Sequence, residues 1–223
     1  MKAYPGKITG YKNDSLVWFD NSKMQFDNGK KNRPYDSLIS SPDVEDQFYL
    51  PYSTGAILSP KKNEDPGRVR NENFFKKMYG TTKKDVIANC ATVMWLKKSL
   101  NQKILFSKIN GANIQLQKVS DELDLLPDSL KKYLSPLAGT FNWRTIEGTN
   151  RLSPHSFGIA IDLSVKHSDY WLWQKTKNGE LKYRNKMPLA IVKIFEKHGF
   201  IWGGRWYHYD TMHFEYRPEF FAI

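Results

Sequence analysis

The sequence has a single cysteine, Cys90, among 223 residues. That excludes an intramolecular disulfide and any metal cluster built from cysteines. Cys90 sits in the apolar stretch Val86-Ile-Ala-Asn-Cys-Ala-Thr-Val-Met-Trp-Leu96 and reads as a buried structural thiol. No apolar run approaches the roughly 18–20 residues that span a bilayer as a helix, so no transmembrane segment is expected. The N-terminus has no apolar core of a secretory signal, and Met1-Lys2-Ala3 fits a start placed after a removed signal. Acidic residues are the minority sign: 34 Lys and Arg stand against 23 Asp and Glu, a net charge of +11. The excess predicts attraction to polyanions such as nucleic acid, anionic lipid or anionic cell-wall polymers. Zinc-finger spacing, a recognition helix and an RNP motif are all missing, so no specific nucleic-acid partner is expected. No internal repeat is visible.

The length suffices for one substantial domain, or one domain and an arm. Aromatic residues make up 14% of the chain, which points to broad binding surfaces or a core of large side chains. Residues 1–60 are rich in Pro, Gly, Asn, Asp and Ser, with short alternating patches such as Ser15-Leu-Val-Trp-Phe19. They read as a loop-rich N-terminal arm with a few short strands, and the expected division is an extension over 1–80 and a main domain over 81–223. A helix is expected between Arg68 and Gly80, buried strands over Asp85–Leu96 and Lys103–Lys108, and an amphipathic helix from Asn110 to Leu126, stopped by Pro127. A short helix over Asp128–Leu134 takes Asp128 as its N-cap, and a strand follows over Gly139–Arg144. Phe157–Ser164 reads as a central strand, Pro188–His198 as a helix, and Phe200-Ile-Trp202 and Met212–Arg217 as the last strands around a Gly203-Gly204 turn. The order favours an α+β fold: a central antiparallel sheet with flanking helices.

Two clusters carry chemistry. Ser153-Pro-His-Ser-Phe-Gly-Ile-Ala-Ile-Asp162 holds an imidazole and a carboxylate, and Asp210-Thr-Met-His213 repeats the pair about fifty residues later. Three protein ligands, His155, Asp162 and His213, suit one zinc ion with a fourth position left for water. Asp210, three residues before His213, is the candidate general base. If the strands carrying Asp162 and His213 pair, the three ligands converge. A carboxylate in a β-branched run needs a cation, and the alternative partner for Asp162 is Arg144 or Arg151. Glu215 competes as a base, because two residues along a strand it shares the face of His213; it ranks below Asp210. Arg144 is the candidate for stabilising an oxyanion or gripping a substrate carboxylate, with Arg151 second. Ser153 reads as turn chemistry or a supporting hydrogen bond, and Trp202 and Trp206 as a cleft wall or as core. Gly158 and Ala160 keep the space between the ligands clear. His167, His198 and His208 are assigned no metal role.

The pattern Ser153-x-His155-x-x-Gly158-x-Ala160-x-Asp162 with Asp210-x-x-His213 resembles the LAS metallopeptidases, which include D-alanyl-D-alanine carboxypeptidases, phage endolysin peptidases and the hedgehog signalling domain. The flanking Gly139-Thr-Phe-Asn-Trp-Arg144 and Trp202-Gly-Gly-Arg-Trp206 look like the endolysin-type branch, whose members often cut L-alanyl-D-glutamate bonds. The resemblance spans roughly residues 105–217. It implies a LAS/hedgehog-like fold, one zinc ion on His155, Asp162 and His213, Asp210 as base, and peptidoglycan stem peptides as substrates, met in the periplasm or outside the cell. The vancomycin-resistance carboxypeptidases carry Glu-x-x-His, so the aspartate here leans toward the endopeptidases. The other readings are a D,D-carboxypeptidase, a metal-containing cell-wall binding module without turnover, and, on charge alone, a nucleic-acid binder.

Overall fold

The computed structural model describes residues 1–174 and 181–222. The chain opens with a meander of β1 (Ile8–Lys12), β2 (Ser15–Trp18) and β3 (Lys23–Gln25). Its first turn is the pair Asn13-Asp14, both at positive φ (48° and 50°), the backbone that a two-residue hairpin demands and that these side chains tolerate. A short α1 (Tyr35–Ser40) follows. The helix expected after Arg68 is α2 (Glu72–Tyr79): Asn71 caps it by accepting from the Phe74 N–H, and Gly80, at φ 136°, ends it.

The stretch expected as one strand from Asp85 divides in two. Thr82 and Asp85 form a reciprocal capping box that starts α3 (Lys83–Ala88), and only then does the chain extend as β4 (Cys90–Trp95). β4 pairs antiparallel with β5 (Gln102–Ser107). The amphipathic helix is α4 (Ala112–Leu123), which buries Ala112, Leu116, Val119 and Leu123 at spacings of three and four. In α5 (Asp128–Lys131) the cap position falls on Pro127 rather than Asp128, which sits in the first turn and pairs with Lys131 at 3.0 Å. Gly139–Arg144 is not a strand: Gly139 alone bridges to Asp162.

The expected central strand is shorter and lies elsewhere in its sheet. Pro154–Phe157 is a 3-10 turn, Gly158 is left-handed, and only Ala160–Asp162 extends as β6. After α6 (Leu189–Lys197) come β7 (Phe200–Trp202) and β8 (His213–Tyr216), in the order β6-β8-β7 with every pairing antiparallel. β8 is therefore the middle strand. The fold is α+β as expected, but among the described residues its strands form three small sheets instead of one.

α4 and α6 pack on these sheets through Leu116, Val119, Ile191 and Phe195, and Phe195 stacks on Phe214 of β8 at 3.9 Å between ring centroids. Burial of such side chains stabilises by roughly 1.5–3 kcal/mol each. Residues 1–80 add Tyr4, Trp18, Phe74, Phe75 and Tyr79 to the same core. Trp202 is wholly buried and donates from Nε1 to the Thr211 carbonyl at 2.9 Å, which ties β7 to the turn before β8. Its ring leaves no room at Gly204, where a Cβ would fall 2.1 Å from Cζ2. Gly204→Ala is expected to cost about 1–3 kcal/mol through overpacking. The measurement is a urea titration, with a lowered midpoint at unchanged slope.

Candidate active site

The register of one strand pair builds the centre. Asp162 on β6 lies directly opposite His213 on β8, so both side chains rise from one face of the sheet. Asp162 Oδ1 is 2.8 Å from His213 Nδ1, and Asp162 Oδ2 is 3.0 Å from His155 Nε2. His155 reaches the same point from the 3-10 turn, which Ser153 caps by accepting from the His155 N–H at 3.4 Å. Ligand atoms of His155, Asp162 and His213 all lie within 4.8 Å of one another. Gly158 has a different task from the one expected. Its φ of 66° ends the turn, and a Cβ there would meet Cys90 Sγ at 3.0 Å and Ser107 N at 3.3 Å, so the glycine allows close packing on β4 and β5. The Cys90 thiol is half-buried, and desolvation pushes its pKa up to about 11. That suits a structural role.

The hydrogen bonds fix which nitrogens face the centre. His155 Nδ1 is 2.6 Å from the Thr140 carbonyl, which can only accept, so Nδ1 carries the hydrogen and Nε2 offers its lone pair. Nε2 is buried, has no hydrogen-bond partner among the described residues, and stands 3.0 Å from Asp162 Oδ2. His213 Nε2 lies 2.9 Å from Glu215 Oε1, which leaves Nδ1 toward Asp162. An orphaned imidazole nitrogen, a second imidazole and a carboxylate form the donor set of an open zinc site, and the outer hydrogen bonds to Thr140 and Glu215 are those that orient such ligands. The residues fit the ion. Without it, burial opposes a charged His213, but the Asp162 carboxylate overrides this and raises its pKa to about 10. Burial likewise works against the Asp162 carboxylate, yet the charges of His155 and His213 hold it well below the usual range.

Asp210 stands beside this cluster on the turn into β8, held by its backbone: its N–H donates to the Gly203 carbonyl at 3.0 Å, and it bridges to Tyr170. Its Oδ1 is sheltered and has no hydrogen-bond partner among the described residues. Burial first, and the neighbouring Asp162 charge second, push its carboxyl up to about 6. Glu215 shares the face of His213 as expected, but its oxygens are occupied. Arg70 binds it twice (2.6 and 3.1 Å), Arg217 approaches at 3.5 Å, and His213 occupies Oε1. A carboxylate so committed has no lone pair for an attacking water. Burial opposes its charge, and Arg70 holds it well below the ordinary carboxylate range.

His155, Asp162, Asp210 and His213 line a cleft of about 690 Å³, within the range of small-molecule sites. Arg144 and Arg151 both line it, Arg144 exposed and Arg151 half-buried. Ser153 borders it as well, although its hydroxyl serves the turn. Of the two tryptophans offered as a cleft wall, Trp206 borders the cleft, its ring 5.7 Å from that of His213. Trp202 does not, being consumed by the core between Phe214 and Gly204. The histidines given no metal role are engaged elsewhere: His198 with Glu122 at 2.7 Å, His208 with Asp65 at 2.7 Å, and His167 against the Tyr133 ring. Sequence reasoning missed the far wall of Tyr170 and Trp171, and above all Arg68 and Arg70. The one available signal was Arg68-Val69-Arg70, two arginines alternating around a buried valine.

Residues 147–216 match the model of a family described as D-alanyl-D-alanine carboxypeptidase. The match holds all three clustered ligands, Asp210 and Arg151, and it begins after Arg144 and far beyond Arg68 and Arg70. It bears out the resemblance to the carboxypeptidase family, over a shorter stretch than the one expected from residue 105, without bearing on the endolysin-type branch, and it supports a hydrolase of the peptidase class. No curated protein matches the chain.

Proposed function

We propose that this chain is a zinc-dependent peptidase of bacterial peptidoglycan that hydrolyses an amide bond of the stem peptide, with L-alanyl-D-glutamate as the first candidate. The observation that carries this reading is the cross-strand pair Asp162–His213, with the orphaned His155 Nε2 beside it and the sheltered Asp210 carboxyl at its edge. The aspartate of Asp210-x-x-His213 favours the endopeptidase, and the LAS/hedgehog-like fold would go with it. A D,D-carboxypeptidase is the second reading, favoured by the description of the family matched over 147–216. A binding module without turnover has no use for Asp210.

In this reading His155, Asp162 and His213 hold the zinc ion, Thr140 and Glu215 orient the two imidazoles, and Asp210 works beside them. Bound there, zinc would polarise the scissile carbonyl and make water nucleophilic near neutral pH. Asp210 takes the proton of the attacking water and hands it to the leaving amine. Arg144, exposed at the cleft, offsets the negative charge that develops on the carbonyl oxygen. The net charge of +11 concentrates the protein on an anionic wall, in the periplasm or outside the cell.

Purified sacculi digested with the zinc-loaded protein, followed by mass spectrometry of the soluble muropeptides, test the reading. New amino groups on D-glutamate identify the endopeptidase, and released D-alanine the carboxypeptidase. Stripping the metal with a chelator is expected to abolish cleavage, and added zinc to restore it. Sacculi left intact by the zinc-loaded protein would sink the proposal.

A further inference from the structure

We infer that Arg68 and Arg151 form a carboxylate-binding subsite in the cleft, which grips a free carboxylate on the substrate residue next to the scissile amide. This rests on the peptidase reading above. Four arginines line the cleft: Arg68, Arg70, Arg144 and Arg151. Arg70 is spent on the buried Glu215. Arg68 is fixed in place without a direct ion pair among the described residues: Nη1 donates to the His208 carbonyl at 2.9 Å, its guanidinium lies 5.5 Å from the Trp206 ring centroid, and the buried Asp65 and Asp210 feel its charge from a distance. Arg151 is half-buried, and its guanidinium makes no hydrogen bond or ion pair among the described residues. The acid nearest in charge to it, Glu72, is already engaged, with Lys76 at 2.7 Å and with the Leu152 N–H at 2.7 Å.

The cleft therefore holds more fixed positive charge than its own acids answer. Asp162 and Asp210 belong to the hydrolytic centre, and Glu147 is exposed at the rim. A half-buried guanidinium among other cations is unfavourable unless an anion completes the site. Burial, and after it the charges of Arg70 and Arg68, lower the pKa of Arg151 to about 10, which is the mark of that unanswered charge. Planar guanidinium forks match a carboxylate in two hydrogen bonds, where a lysine would offer only a point charge. One half of the subsite, Arg151, lies inside the family match, whereas Arg68 comes from the N-terminal segment outside it. That makes the pair a device of this chain for choosing its substrate. Two groups have the required chemistry: the α-carboxylate of a γ-linked D-glutamate, and the C-terminal carboxylate of D-alanine.

The experiment uses four synthetic stem peptides, each of these two carboxylates being presented free or as the carboxamide. The zinc-loaded wild type is expected to prefer the free acid of one pair by about 10- to 100-fold in kcat/KM, the worth of charged hydrogen bonds. The preferred pair identifies the source. Arg151→Gln and Arg68→Gln are each expected to lower kcat/KM for that acid to the level of its amide. Binding of the same peptides, followed by tryptophan fluorescence, reads the subsite separately from turnover. Equal treatment of acid and amide by the wild type overturns the inference, as does an equal loss on both in Arg151→Gln. Failure to cut any peptide, with acid still bound over amide, removes the peptidase reading and leaves the subsite standing.

Discussion

Replacing Asp210 with asparagine is expected to lower kcat by about 10²- to 10⁴-fold, the usual contribution of a positioned base, while the protein still binds one zinc ion. Asparagine keeps the shape of the side chain, and the backbone bonds that place it, to the Gly203 carbonyl and the Tyr170 bridge, do not involve the carboxyl. The three clustered ligands exclude Asp210, so metal content is the control and stem-peptide hydrolysis the readout. The pH profile gives a second check. Burial and the charge of Asp162 raise the Asp210 carboxyl to about 6, and a base works only when deprotonated. Activity of the wild type should therefore fall tenfold per unit of pH below its pKa. A bound cation favours the carboxylate, so the acid limb lies at or below pH 6. A variant that turns over at the wild-type rate removes Asp210 as the base. One that loses its zinc makes Asp210 a ligand instead.

The clustering of His155, Asp162 and His213 was legible because it follows from the pairing of two short strands. Period-two alternation puts Asp162 on one face of its strand, and the register against His213 needs only that the two strands pair. Short apolar runs were less legible. Val86-Ile-Ala and Cys90–Trp95 merge into one hydrophobic stretch, and the helix–strand boundary between them is set by polar residues, Thr82 and Asp85, lying ahead of the run. Trp202 and Trp206 are the same residue type on one glycine turn, yet one is core and the other faces the cleft. Packing against Phe214 and Gly204 decides between them, and that is a tertiary fact. The arginine wall was invisible for the same reason. Arg70 and Glu215 stand 145 residues apart, and nothing near either in sequence announces the other.

That distant pair carries the largest expected loss of stability. Glu215→Ala leaves Arg70, at 11% exposure, and Arg217, at 0%, without their shared carboxylate. Removing one partner from such a buried network costs about 3–5 kcal/mol, because the remaining charges keep their desolvation penalty. In a chain of this size the thermal midpoint should fall by roughly 10 °C, read by calorimetry. Arg217 keeps Glu219 at 2.5 Å, so most of the loss falls on Arg70. Removing Arg70 as well, in an Arg70→Met/Glu215→Leu double variant, should recover part of it, since an apolar pair leaves no buried charge unanswered. The pH dependence has a definite sign. Arg70 holds the Glu215 carboxyl well below its ordinary value of about 4.3. The stabilisation is therefore present above that value and is lost as pH falls below it. The same substitution takes the acceptor from His213 Nε2 and frees the ring to turn, so zinc should bind about 10- to 100-fold more weakly. A competition titration with a chelator separates the two effects. A midpoint that drops with zinc affinity unchanged would make Glu215 a clasp for the N-terminal segment alone. Loss of both in step means that residues far ahead of the catalytic motifs help to hold the metal, with Glu215 as the joint between them.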